Sequence, residues 1–67
     1  PREQEKNKLL LLRGDRMYEE ATGDTRNLIE RNMSIFEEVL DKQDKDEIER
    51  VRQELKDFLD SIEEDIF

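Results

Sequence analysis

Two apolar stripes at helical spacing, separated by a few polar residues, constrain this chain more than any other feature. The first comprises Leu28, Ile29, Met33, Phe36, Val39 and Leu40, and the second Ile48, Val51, Leu55, Phe58, Leu59, Ile62 and Ile66. Steps of three and four place each set on one side of an α-helix, because successive residues advance about 100° around the axis. The intervening Gln43-Asp44-Lys45-Asp46 leaves room only for a tight reversal, which lays the two helices antiparallel. Asp44 followed three residues later by Glu47 makes a capping-box pattern with aspartate as the cap. The spacing predicts helices over about 25–42 and about 45–65.

A first helix is expected over about 2–21. Pro1 is tolerated in a first turn, where its missing N–H has no partner to lose, and Glu3 and Glu5 suit the positive end of the helix dipole. The stripe here is Leu10, Gly14, Met17 and Ala21, widened by Leu9, Leu11 and Tyr18. Up to Lys8 there is no apolar face, so this end is expected to fray or to continue a longer helix. Gly23 can take the left-handed conformation that closes the first helix, and Asp24 can accept the N–H bonds that open the second. Gly14 costs about 1 kcal/mol in a helix interior relative to alanine. It marks either the close approach of another helix or a weak spot where the helix bends. Tyr18, Phe36 and Phe58 fall at stripe positions and are expected in the core, whereas Phe67 either frays or belongs to a longer helix. The fold class that follows is all-α, a three-helix antiparallel bundle forming a single helical subdomain over residues 1–67. Because the chain opens at Pro1 and enters a helical pattern at once, it is expected to be a fragment of a larger protein.

The residue inventory excludes most chemistry. With 48% of its residues charged and 33% apolar, the chain approaches the disordered regime, and it is the phase of the apolar residues that restores a globular reading. The net charge of −8 argues against nucleic acid, which needs a basic face to displace counterions, and against an anionic membrane surface. The longest apolar run, Leu9-Leu10-Leu11-Leu12, is far short of the roughly 20 residues that span a bilayer. There is no cysteine or histidine, hence no disulfide, thiolate nucleophile or imidazole base, and a reducing, cytoplasmic compartment is compatible. The acidic doublets Glu19-Glu20, Glu37-Glu38 and Glu63-Glu64 point to different sides of a helix and read as solvated surface rather than catalytic dyads. Asp41, Asp44, Asp46 and Glu47 concentrate acid at the turn, but without the central glycine and spacing of a calcium loop. Capping accounts for them better, with Asp46–Arg50 as a supportive ion pair. Arg13-Gly14-Asp15 spells an integrin-binding tripeptide, yet it falls inside a helical pattern and not in an exposed loop. No catalytic residue, metal ligand or cofactor site is expected.

Two longer segments resemble a known family. Leu9-Leu10-Leu11-Leu12-Arg13-Gly14-Asp15-Arg16-Met17-Tyr18-Glu19-Glu20 resembles the late part of the long lid helix in DnaK-type (seventy-kilodalton) heat-shock chaperones. Phe36-Glu37-Glu38-Val39-Leu40-Asp41-Lys42-Gln43-Asp44-Lys45-Asp46-Glu47-Ile48-Glu49 is similar to that family's next hairpin, and Arg52-Gln53-Glu54-Leu55 continues the match. Tyr18-Glu19-Glu20 followed shortly by Gly23-Asp24 is nearer to the bacterial HscC-like branch than to DnaK itself. The resemblance covers about residues 9–62. It implies an ATP-dependent parent chaperone that binds extended apolar peptides, with this piece as the C-terminal helical subdomain of the lid and the parent's peptide-binding domain as its partner. It carries over no phosphate loop, magnesium ligand or peptide pocket, since no residue here matches one. The ending Glu63-Glu64-Asp65-Ile66-Phe67 departs from the eukaryotic Glu-Glu-Val-Asp tail, so co-chaperone docking through such a tail is not implied.

Two functions are therefore expected to compete: a non-enzymatic lid, and a helical interaction or dimerisation module unrelated to chaperones. In the second, Leu9, Leu11 and Leu12 form an intermolecular seam, because four consecutive leucines cover more than one helix face. Self-association of an excised lid through the same leucines is compatible with the first.

Overall fold

The computed structural model describes residues 4–66, and Pro1, Glu3 and Phe67, with the expectations attached to them, lie outside that range. Three helices follow one another: α1 (Glu5–Glu20), α2 (Gly23–Lys42) and α3 (Lys45–Ile66). Each connection is two residues long, so successive helices reverse direction. The result is an all-α three-helix bundle measuring 32 × 17 × 17 Å, in which α3 returns parallel to α1.

The turn between α2 and α3 is built by local chemistry. Gln43 adopts the left-handed conformation (φ 60°, ψ 24°), and its N–H donates to the Leu40 carbonyl at 3.2 Å. Glycine is the usual residue in such a closing position. The Asp44 side chain then caps α3, its Oδ1 accepting the N–H groups of Asp46 at 3.1 Å and Glu47 at 3.2 Å. Glu47 thus enters the cap through its backbone, while its carboxylate lies 3.8 Å from Arg50. Arg50 also faces Glu54 at 3.5 Å. Its partners are therefore Glu47 and Glu54, in place of the expected Asp46.

The corner between α1 and α2 differs from the sequence expectation. α1 stops at Glu20, where the Ala21 N–H donates to the Met17 carbonyl at 2.9 Å. Ala21 and Thr22 are extended, and Ala21 is buried. Gly23 does take a left-handed φ of +61°, but at the entrance of α2 and not as the closing residue of α1. Asp24 consequently lies inside the first turn of α2, where its charge suits the helix dipole, instead of preceding the helix as a cap.

The core joins Leu10, Met17 and Ala21 to Ile29, Met33, Phe36, Val39 and Leu40, and to Ile48, Val51, Leu55 and Leu59. Leu11, Tyr18, Phe58 and Ile62 pack against it while partly exposed. Leu28, expected in the core, is 46% exposed. Its neighbour Ile29 is fully buried and begins the inward line Ile29, Met33, Phe36 and Leu40, with Leu28 about 100° to one side of it. Leu28 instead shares the outer face of α2 with Ile35, two turns further on and 45% exposed. Tyr18 keeps its ring at the surface beneath Arg26, whose guanidinium carbon sits 4.2 Å from the ring centroid, a cation–π contact.

Candidate functional site

The features that carry information lie where α1 meets the α2–α3 hairpin. The buried positions of α1 are Asn7, Leu10, Gly14 and Met17, a run of alternating three- and four-residue steps. This is the seven-residue repeat of helices packed at shallow angles. Asn7, with none of its surface exposed, extends the stripe one turn before Leu10. Asn7 is therefore packed in a stretch where the lack of apolar residues up to Lys8 predicts either fraying or the continuation of a longer helix. Arg52 donates from Nη1 to Asn7 Oδ1 at 3.0 Å, so a polar side chain occupies a core position with a charged donor satisfying it. The signal in the sequence was positional, since Asn7 stands where the repeat demands an inward residue although its type is wrong.

Gly14 is buried against α2. A Cβ built there would lie 2.1 Å from Met33 Sδ and 2.7 Å from Met33 Cε. Of the two expected roles, close approach of another helix is the one the packing displays. Arg13 and Asp15 of the tripeptide flank this contact within α1, and the helical backbone precludes the extended presentation that integrins read.

Arg13 ties α1 to the end of α3. Its Nε donates to Glu63 Oε1 at 2.8 Å and its Nη2 to Asp60 Oδ1 at 2.7 Å, with a further contact from Nη2 to Glu63 Oε1. Lys56 approaches the other oxygen of Asp60 at 3.1 Å. Burial disfavours the Arg13 charge, but its hydrogen bonds to Glu63 and Asp60 outweigh that and raise its pKa above the usual value. The hydrogen bond from Arg13, aided by that from Lys56, holds the Asp60 carboxyl below the ordinary carboxylate value of 3.8. A carboxylate whose folded pKa is depressed contributes stability above its unfolded pKa and loses it as pH falls through the folded value. Urea midpoints of the wild type should therefore drop as pH is lowered from about 4 toward 2. In Asp60→Asn that acid-side decline should be shallower, and parallel declines would show that the cluster is not formed in solution. Nothing in the sequence announced this cluster, because its members are 47 and 50 residues apart.

Of the expected interface leucines, Leu9 and Leu12 are 58% and 56% exposed. Leu11 is drawn into packing against the core, because it lies seven residues before Tyr18 and so on the same flank of α1. Among the described residues no group of three acidic side chains converges on a point where a metal ion could sit, and Asp41, Asp44 and Asp46 lie exposed around the turn. No helix among the described residues is long and apolar enough to cross a membrane. No family model, curated protein or solved structure matches this chain.

Proposed function

We propose that this chain is the C-terminal helical subdomain of the lid of a DnaK-type, ATP-dependent chaperone of the cytoplasm. Its role is to cap the parent's peptide-binding domain and slow the release of unfolded client peptides. The observation that carries this reading is the hairpin of residues 36–49, whose acidic, Asp44-capped turn leads into Ile48-Glu49 as it does in the family it resembles. The bundle's chemistry agrees with such a role. The hairpin braces α1 at Asn7, Arg13 and Gly14, which suits a body that obstructs a path rather than one that reacts. The fragment itself is no enzyme in this reading, and ATP hydrolysis belongs to another domain of the parent. The exposure of Leu9 and Leu12 favours a second reading, a helical protein–protein interaction module unrelated to chaperones.

Deleting these residues from the parent polypeptide separates the two. As a lid, their loss should speed release of a fluorescent apolar peptide severalfold while basal ATP hydrolysis stays unchanged. Unaltered release, or a parent without a β-rich peptide-binding domain, would defeat the lid reading and leave the interaction module.

A further inference from the structure

We propose that two copies of this chain associate through α1, antiparallel about a two-fold axis, with Leu9 of each copy against Leu12 of the other. The proposal does not rest on the lid reading, because it uses only the outer face of α1.

Leu9 and Leu12 are the most exposed large apolar side chains among the described residues. They belong to a second stripe on α1, made of Glu5, Leu9, Leu12 and Arg16, all four of them exposed. The steps of four and three repeat those of the buried stripe, Asn7, Leu10, Gly14 and Met17. At about 100° per residue the two stripes lie about 160° apart around the helix. The outer stripe therefore looks directly away from the bundle, and a second helix can lie along it without meeting α2 or α3. From Glu5 to Arg16 it extends about 17 Å, or three turns, at 1.5 Å per residue.

The charges flanking the leucines select a second copy and fix its direction. Glu5, Lys8, Asp15 and Arg16 make no ion pair or side-chain hydrogen bond with another described residue. In an antiparallel pair that sets Leu9 against Leu12 of the second copy, the same register sets Glu5 against that copy's Arg16. It also brings Lys8 beside the second copy's Asp15, and two-fold symmetry makes each of these contacts twice. A parallel pair would instead stack Glu5 on Glu5 and Arg16 on Arg16. The like-charged approach in the antiparallel register is Lys6 to Arg13, and Arg13 is already compensated by Asp60 and Glu63 of its own bundle. α1 is also the place where an acidic chain repels itself least, with four cations against four carboxylates, whereas α3 has four against nine. Ion pairs at a surface set orientation and register more than affinity. Affinity comes from withdrawing the four leucines from water. A contact only three turns long falls below the standard interface size, so the dimer is weak and forms at high protein concentration.

The test is sedimentation equilibrium of the 67-residue chain from about 10 μM to about 1 mM, at about 0.15 M salt to screen the net charge. The mass should rise from one copy toward two. Leu12→Ser should weaken association by about tenfold or more, whereas Leu28→Ser, on the outer face of α2, should leave it unchanged. Arg16→Glu should weaken it severalfold by setting a glutamate against Glu5. Glu5→Arg should weaken it too, although it makes the chain less acidic. Glu5→Arg combined with Arg16→Glu should regain the wild-type association. Residues 5 and 16 are three turns apart on one helix, so only contact between copies explains that recovery. Circular dichroism of each variant verifies that helicity is retained. The proposal is overturned by a single-copy mass at about 1 mM, by undiminished association of Leu12→Ser, by equal loss in Leu28→Ser, or by a double charge swap no better than either single one. None of these outcomes bears on peptide release by the parent, so the dimer and the lid fail separately.

Discussion

Phe36→Ala should lose most of the folded population at 25 °C. Phe36 is the largest of the fully buried side chains and lies where the stripes of all three helices converge. Truncating a buried phenylalanine to alanine costs about 3–5 kcal/mol, from lost transfer free energy and from the cavity left behind. A chain of 67 residues has roughly 3–10 kcal/mol to lose, at about 0.05–0.15 kcal/mol per residue. The bundle has little means of collapsing around the void, because Ile29 and Leu59, also fully buried, are fixed on separate helices. In urea titrations followed by far-ultraviolet circular dichroism, the midpoint should fall sharply or the folded baseline vanish. Phe58→Ala, at a half-buried position, should cost distinctly less. Equal effects at the two sites would mean that α2 is rotated relative to the arrangement described here.

Gly14→Val should destabilise the bundle by about 1–3 kcal/mol through overpacking, and this loss should depend on Met33. The first added carbon would meet the Met33 thioether at 2.1 Å and its methyl at 2.7 Å. Those atoms are the far end of a flexible side chain. For that reason Gly14→Ala should change stability little: methionine retreats, and the helix gains up to about 1 kcal/mol in propensity. Valine is branched at Cβ and nearly fixed in χ1 within a helix, so its two methyl groups cannot both avoid α2. Met33→Ala alone opens a cavity and costs about 2–5 kcal/mol, but in combination with Gly14→Val the space is refilled. The double variant should therefore be less destabilised than the two single losses combined, with a coupling of about 0.5–3 kcal/mol. Additivity within about 0.3–0.5 kcal/mol would show that Gly14 does not face Met33.

The legibility of the structure in the sequence follows the range of the interactions involved. The hairpin could be read because its determinants are local: two stripes set by helical periodicity, and an aspartate whose capping bonds reach only two and three residues ahead. The α1–α2 corner was half legible. The left-handed glycine was evident from its type, but not that it would open α2 instead of closing α1. Leu28 illustrates the limit of counting apolar residues. Leu28 and Ile29 are equally apolar neighbours, and only the packed bundle decides which points inward. Asn7 is the converse case, a polar residue in an apolar register. The pattern marked the position, but its burial became favourable only because Arg52, on another helix, supplies a donor. The cluster of Arg13, Asp60 and Glu63 had no local signature at all.

By itself, then, the sequence determined three helices, the hairpin and the exclusion of histidine and cysteine chemistry, since those depend on residue type and on spacings of a few residues. Tertiary structure alone decided the corner at Ala21, the outward turn of Leu28, the burial of Asn7 and the meeting of Arg13 with Asp60 and Glu63. The reason is physical: each is settled by which surfaces meet once three amphipathic helices close around Phe36, and no short stretch of chain contains both sides of those contacts.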